Sequence, residues 1–206
     1  MSAFVLFAAL AASAAPAPLP AAARQPVPVA ITIDDGCPDG LDVVAPRLEK
    51  HGWRGCFNVI AQVTTETRGN FLSWGDIREL KRRGHAIMTH ATGVADSGEP
   101  VLANGATNPV LKEMVESCDM IERATGVRPK VLCPHGNQVN ANGLRLMELA
   151  GLRAMRIDRP DHGSGTVAGT PTGVGAWLDK RLAEDPDSMV LMIHAAKKDC
   201  GHGDLL

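Results

Sequence analysis

The sequence lacks a strong net charge and a long apolar run. Its formal net charge is −2 over 206 residues, so nothing indicates a nucleic acid or an anionic membrane surface as a partner. No apolar run is long enough to cross a bilayer as a helix, so we predict no integral membrane segment. The length fits one sizeable domain, and no feature of the sequence indicates an oligomeric state.

The cysteines do not form a paired pattern either. There are five of them, an odd number, and none belongs to a Cys-x-x-Cys pair. This excludes a disulfide framework and a zinc-finger pattern. Cys56 and Cys118 occupy apolar positions, which is typical of core residues. Cys37 and Cys133 flank the candidate site loops described below, and they could be close enough to oxidise if the protein is exported.

The amino-terminal segment resembles a secretory signal peptide. Residues 4–15 are apolar, small residues at 12–14 offer a cleavage site, and Ala- and Pro-rich sequence follows. The length of the apolar segment suits export rather than a membrane span. No Lys or Arg precedes it, which leaves a disordered Ala/Pro tail as the alternative. We therefore predict a signal peptide and lead at 1–23, a domain at 24–206, and a secreted or periplasmic protein.

From residue 26 onward, apolar runs typical of buried strands alternate with helical patterns. The clearest helix begins at Asn108-Pro109, an N-cap followed by proline at the first helical position, and ends at Gly126. The strand-like runs are residues 27–31, 56–60, 85–88, 130–133, 153–157 and 189–193. Strand–helix alternation predicts an α/β fold with parallel strands joined by right-handed crossovers.

Polar residues follow most of these strands. They are Asp34 and Asp35 after the first strand, His90 after the third, residues 134–136 after the fourth, residues 158–162 after the fifth, and His194 after the last. Parallel strands end on the same side of a sheet, which is where such folds place ligand sites. Any one of these residues could have an ordinary turn or loop role, but their shared position predicts a common site.

The adjacent carboxylates of Asp34 and Asp35 are the least ordinary part of this pattern. Like charges this close raise at least one pKa unless a cation or strong hydrogen-bond donors keep both groups ionised. A metal ion on one carboxylate makes the pair tolerable and leaves the other free to act as a base. Asp-Asp-Gly is also common turn chemistry, which is the alternative interpretation.

These residues carry a family resemblance. Thr32-Ile33-Asp34-Asp35-Gly36 resembles the first motif of the polysaccharide deacetylases, the NodB-like proteins of carbohydrate esterase family four. Four further segments resemble the approach to the second motif, part of the third, the fourth with His in place of Trp, and the fifth: residues 84–90, 133–136, 158–162 and 191–194. The resemblance covers about residues 27–194.

The resemblance implies a distorted parallel (β/α) barrel of about seven strands and a catalytic domain at 24–206. It also implies a divalent metal, usually zinc, and an acetylated carbohydrate as substrate. By position, Asp35 and His90 are expected to bind the metal. Asp34 is expected to be the general base acting on metal-bound water, and His194 the general acid for the leaving amine. An imidazole suits that role because it can donate a proton near neutral pH.

The resemblance assigns supporting roles to the third and fourth motifs. The backbone N–H of His135, between Pro134 and Gly136, is expected to stabilise the oxyanion. Asp158 or Asp161 is expected to orient or tune the general acid. Metal coordination lowers the pKa of water from about 15.7 to about 7, and a positioned base or acid contributes about 10²–10⁴-fold.

The chain departs from the family pattern at three positions. Val94 stands where the second metal histidine belongs, Leu132 replaces the arginine that braces the base, and His162 replaces an aromatic residue. Without that arginine, Asp34 is expected to be harder to keep charged. Four other side chains have donor atoms suited to a third metal ligand: Asp96, His162, His135 and Cys37.

Two functions remain compatible with this sequence. One is a divergent, metal-dependent deacetylase acting on N-acetylated or O-acetylated carbohydrate. The other is a catalytically impaired pseudo-deacetylase that binds carbohydrate, because two protein ligands make a weak zinc site. The scarcity of aromatic residues (four Phe, three Trp and no Tyr) leaves little surface for stacking against a long sugar chain. This mildly favours a short or small substrate.

Overall fold

The computed structural model describes residues 26–91, 108–135, 141–156 and 189–194, together with residues 176, 179–180 and 183. The predicted signal peptide therefore lies outside the described residues, as do Val94, Asp96 and the fourth motif. The described strands are β1 (Val29–Asp34), β2 (Cys56–Val59), β3 (Ala86–Ala91), β4 (Val131–Pro134), β5 (Ala154–Met155) and β6 (Met189–His194).

The six described strands form one sheet in the order β5-β4-β3-β2-β1-β6. Every pairing between neighbours is parallel. This confirms the predicted α/β class. About seven strands were expected, and six lie within the described residues.

Helices connect the strands, and the clearest of the predicted helices begins at its predicted signal. They are α1 (Ala45–Lys50), preceded by a π-helical stretch at Gly40–Val44, α2 (Trp74–Arg82), α3 (Pro109–Thr125) and α4 (Ala141–Leu149). The Asn108 side chain accepts hydrogen bonds from two backbone N–H groups of the first turn of α3. Gly126 ends that helix at φ 74°, in the left-handed conformation that suits glycine. No helix in the described ranges is long and apolar enough to cross a membrane.

Two apolar clusters cover the sheet. The first packs β1 and β2 against α1 and α2 and includes Ile33, Phe57 and Ile77. The second packs β4 against α3 and α4 and includes Leu132 and Met114. Burial of these side chains is the main favourable contribution to folding, and it leaves the strand ends as the place where polar groups can gather.

The strand register aligns the polar residues at the carboxyl edge of the sheet. Asp34 of β1 is paired with His194 of β6, and His90 of β3 is paired with Cys133 of β4. Because all the strands are parallel, these residues lie at one edge although they come from distant parts of the sequence.

At the opposite edge, a polar cluster ties α1 to the start of β3. Glu49 accepts two hydrogen bonds from Arg83, each at 2.7 Å. His85 Nδ1 accepts the Gly55 N–H at 3.0 Å, so its Nε2 carries the proton of the neutral ring and donates to Glu49 at 2.8 Å. Hydrogen bonds from Arg83, and then from His85, lower the pKa of Glu49 from about 4.5 to about 2.

We predict that Glu49→Gln lowers the melting temperature at neutral pH and that the difference disappears in acid. A carboxylate whose pKa is lowered by folding contributes stability that is complete above about pH 4.5 and is lost as the pH falls towards 2. Thermal unfolding followed by circular dichroism between pH 7 and pH 2.5 measures this. Glu66→Gln, at a well-exposed side chain, is the control. A difference between Glu49→Gln and wild type that does not change with pH would contradict the assignment.

Candidate active site

The turn after β1 separates the two aspartates. Asp34 is the last residue of the strand, whereas Asp35 has a φ of 70° and Gly36 a φ of 71°. No other non-glycine residue in the described part of the chain has a positive φ. Such a conformation is disfavoured for a residue with a side chain and is found where function requires it. The Leu72 N–H donates to the Gly36 carbonyl at 2.7 Å and holds this turn.

Asp34 is 3% exposed and both of its carboxylate oxygens are hydrogen-bonded. The Asn58 side chain, from the neighbouring strand β2, donates to Oδ1 at 2.6 Å. The Arg156 guanidinium donates through Nη2 to Oδ2 and forms a buried ion pair with it. The carboxylate is thereby held in one orientation by a cation and an amide.

Arg156 follows β5, and its guanidinium contacts side chains from β1, β4 and β6. Its Nε donates to Cys133 Sγ at 3.1 Å and its Nη1 to Met192 Sδ at 2.9 Å. Burial acts to lower the pKa of Arg156, but the charges and hydrogen bonds of Asp34 and Cys133 together outweigh burial, and the pKa is raised. The guanidinium therefore stays charged next to the carboxylate.

Arg156 corrects the expectation that Asp34 lacks a bracing cation. Leu132, at the family position of that arginine, is fully buried in the apolar cluster with α3 and α4. The cation is instead supplied by Arg156, which follows β5, the strand next to β4. The sequence did contain a signal for it, because Arg156 is a charged residue near the carboxyl end of a predicted strand.

His90 belongs to β3, and its ring lies next to the Asp35 carboxylate. Its Nδ1–H donates to the Cys133 carbonyl oxygen at 2.7 Å, because a carbonyl can only accept. In the neutral ring, Nε2 then presents a lone pair towards Asp35 Oδ1, 3.2 Å away. Two lone pairs at this distance repel each other unless the ring is protonated or a cation lies between the two atoms.

The donor chemistry of this pair fits a divalent metal. Two ligand atoms that share a tetrahedral Zn²⁺ lie about 3.3 Å apart, close to the 3.2 Å between His90 Nε2 and Asp35 Oδ1. The hydrogen bond from His90 Nδ1 to a carbonyl is the orientation expected of a metal-binding histidine. Within the described ranges, however, no three His, Cys, Asp or Glu side chains are grouped so that they could hold a metal ion.

His135 follows β4 and packs against His90. The two ring centres are 4.2 Å apart and the planes are nearly perpendicular, at 80°. The Nε2 atom of His135 is buried and has no hydrogen-bond partner among the described residues. Burial, and then the charge of His90, lower the pKa of His135. The ring therefore favours its neutral form, with a nitrogen lone pair available.

His194 completes the group of predicted residues that the structure brings together. Its Nε2 is 3.8 Å from Asp35 Oδ2, and its side chain is 30% exposed. Asp34, Asp35, His90 and His194 thus lie at one edge of the sheet, as expected. Pro134 ends β4 and is buried. The remaining predicted site residues, Gly136, Asp158 and Asp161, lie outside the described residues.

Two cysteines, Cys37 and Cys133, flank the residues of the site. Cys37 and Cys133, which could have been close enough to oxidise, are both buried, and neither forms a disulfide in this structure. Burial raises the pKa of Cys133 to about 12. Because the thiolate is the reactive form, Cys133 is inert at neutral pH and serves as a hydrogen-bond acceptor for Arg156.

This molecule is an α/β protein whose parallel sheet carries carboxylates and imidazoles at its carboxyl edge. The sequence model of the polysaccharide deacetylase family matches residues 22–155, and the chain belongs to that family. No curated protein matches the sequence.

Solved structures share the fold at low sequence identity. The peptidoglycan N-acetylglucosamine deacetylase Bc1960 is 16% identical, with a TM-score of 0.60 over 84% of this chain and 74% of that one. A family 4 acetyl xylan esterase from Clostridium thermocellum, in complex with a cobalt ion, is 18% identical, with a TM-score of 0.58 over 82% and 75%. A mutant of BA3943, a family pseudoenzyme with restored activity, is 11% identical, with a TM-score of 0.57 over 84% and 58%.

These likenesses confirm the predicted distorted parallel (β/α) barrel. The coverage differs between structures, and the chain spans 51% of the Streptococcus pyogenes deacetylase PplD and 78% of the T48 deacetylase.

We predict that Arg156→Met lowers the free energy of unfolding by about 3–5 kcal/mol, because it leaves the Asp34 charge buried without its cation. In the double variant Asp34→Asn/Arg156→Met that charge is absent, so the loss should be smaller than the sum of the two single losses by at least about 1 kcal/mol. Urea unfolding at pH 7 of all four proteins measures this coupling.

Arg153→Met is the matched control for this cycle, because Arg153 is an exposed residue next to the same strand. It should change stability by no more than about 0.5 kcal/mol. Additive losses for Asp34 and Arg156 would show that their contact does not stabilise the protein.

Proposed function

We propose that this protein is a metal-dependent hydrolase that removes acetyl groups from N-acetylated or O-acetylated carbohydrate. Asp34 acts as the general base and His194 as the general acid, while Asp35 and His90 hold the metal. The observation that carries the proposal is the convergence of these four side chains, from three strands, at the carboxyl edge of the sheet.

The geometry around Asp34 suits a base. Asn58 and Arg156 each donate one hydrogen bond to a different carboxylate oxygen, and each oxygen retains acceptor capacity for a proton taken from water. The N–H donors of Asn58 and Arg156 fix the carboxylate in place, which reduces the conformational entropy that is lost when the reaction occurs. Arg156 is a positioning residue in this scheme because it touches Asp34 rather than the substrate.

The metal site consists of Asp35 Oδ1 and His90 Nε2, with the Cys133 carbonyl orienting the imidazole. A bound divalent metal, which we propose to be zinc, supplies a Lewis acid that lowers the pKa of water and polarises the acetyl carbonyl. Asp35 keeps its two oxygens for different neighbours, since Oδ1 faces His90 and Oδ2 faces His194.

The remaining roles concern the acetyl group and its leaving group. His194, which is partly exposed at the rim, donates a proton to the departing amine or hydroxyl. The backbone N–H of His135, in the motif Pro134-His135-Gly136, stabilises negative charge on the acetyl oxygen. Asp158 or Asp161 orients His194.

The substrate class follows from the family and from the molecules to which the fold is similar. A peptidoglycan N-acetylglucosamine deacetylase and an acetyl xylan esterase have a similar fold. Each enzyme is named after an acetylated carbohydrate on which it acts. Residues 1–23, as a signal peptide, would deliver the domain at 24–206 to the periplasm or the cell exterior, where such polymers occur.

A carbohydrate-binding pseudo-deacetylase is the second candidate. It is favoured by Val94 at the position of the second metal histidine and by the likeness to a family pseudoenzyme. In this case the protein would hold acetylated glycan without releasing acetate, and glycan affinity would survive Asp35→Ala.

We predict that Asp34→Asn lowers acetate release by about 10²–10⁴-fold, because the amide cannot accept a proton from water. The assay measures acetate released from N-acetylglucosamine oligomers and from acetylated xylan, with Zn²⁺ or Co²⁺ added and with a chelator. Glu79→Gln, which removes a carboxylate from a surface ion pair of α2, is the control and should retain full activity.

Two results would contradict the hydrolase. One is acetate release by Asp34→Asn at the wild-type rate. The other is the absence of acetate release from any acetylated glycan by metal-loaded wild type. Glycan binding without acetate release, unaffected by Asp35→Ala, would establish the binding protein instead.

A further inference from the structure

We propose that His135 supplies, through Nε2, a third protein ligand to the metal that Asp35 and His90 hold. This inference rests on the proposed function, because it concerns the same metal. The family resemblance places the missing ligand at Val94, whose side chain has no donor atom. A catalytic zinc site normally has three protein ligands, so a metal-dependent form of this protein requires a replacement.

The surroundings of the His135 Nε2 atom support this role. This atom is buried and has no hydrogen-bond partner among the described residues. A buried polar atom without a partner destabilises the folded state, and such atoms in native proteins call for an explanation such as an ion. Imidazole nitrogen is a preferred zinc ligand, so a metal would satisfy this atom.

The position of His135 in the fold also supports this role. His135 directly follows β4, so it lies at the same edge as His90, and the rings of the two residues are in contact. Its electrostatic neighbours include Asp35 and Asp34. The side chain therefore lies against His90, one member of the metal-binding pair, and within electrostatic range of Asp35, the other.

The change needed to complete the site is small. Two imidazoles bound to one tetrahedral ion have ring centres about 5 Å apart, whereas the rings of His90 and His135 are 4.2 Å apart. An increase of about 1 Å in the separation of the two rings reaches that spacing. This difference is consistent with the absence of a complete three-donor group in the described residues.

The proposal gives His135 two functions at one position. Its side chain would bind the metal while its backbone N–H faces the acetyl oxygen, so the ligand and the oxyanion donor would be fixed together. The family pattern instead takes its histidine ligands from the second motif alone. In this chain the ligand set would be one residue from the carboxyl end of each of three strands, β1, β3 and β4.

The experiment is a Co²⁺ titration of the full-length protein, followed by visible absorption and calorimetry. Wild type should bind one Co²⁺ with the strong visible bands of a tetrahedral site. His135→Ala should bind at least about 10–100-fold more weakly, since losing even an outer partner of a ligand has that effect. His51→Ala removes an exposed imidazole remote from the site and should bind as wild type does.

A second variant keeps the test independent of folding defects. His135→Cys replaces the nitrogen by a thiolate donor, and the Co²⁺ complex should then show a thiolate-to-metal charge-transfer band in the near ultraviolet. The matched control His51→Cys adds an exposed thiol elsewhere and should show no such band. Circular dichroism of each variant confirms the fold.

The outcomes separate this inference from the proposed function. Wild-type Co²⁺ affinity in His135→Ala, or a His135→Cys complex without the charge-transfer band, overturns the role of His135 and leaves the hydrolase proposal standing. Failure of wild type to bind Co²⁺ or Zn²⁺ overturns both. Weakened binding in His135→Ala together with the band in His135→Cys supports the third ligand.

Discussion

Two adjacent negative charges at the end of a buried strand have to be balanced within the protein, and the site is organised around this constraint. Asp34 is balanced by Arg156 and Asn58. Asp35 turns away into a left-handed conformation and faces two imidazoles. The two carboxylates thereby have different surroundings. Proteins can give two residues of the same type different chemical roles by placing them in different environments.

The parallel register makes this balance possible. Asp34 and His194 are partners across β1 and β6, and His90 and Cys133 are partners across β3 and β4. Each side chain is supplied by a strand that is itself held by apolar packing against the helices. A slip of one residue in any of these strands would turn its functional side chain to the other face, so the core and the site depend on the same register.

Much of this arrangement was predictable from sequence. The alternation of strands and helices identified the fold class, and the motif of Asp34 and Asp35 identified the site edge. Arg156 was missed because the family pattern directed attention to Leu132, and a one-dimensional pattern does not show that an arginine after β5 can reach a carboxylate on β1. The buried Nε2 of His135 was likewise invisible, because hydrogen-bond satisfaction is a property of the folded chain.

The central claim is that the sheet gathers Asp35 and His90 around a divalent cation. The most direct measurement is X-ray diffraction from zinc-loaded crystals at wavelengths above and below the zinc absorption edge, which locates the metal without assumptions about chemistry. The account predicts a single anomalous peak within bonding distance of Asp35 Oδ1 and His90 Nε2, about 2.0–2.2 Å. A peak elsewhere, or none at this edge of the sheet in a fully loaded crystal, would contradict it.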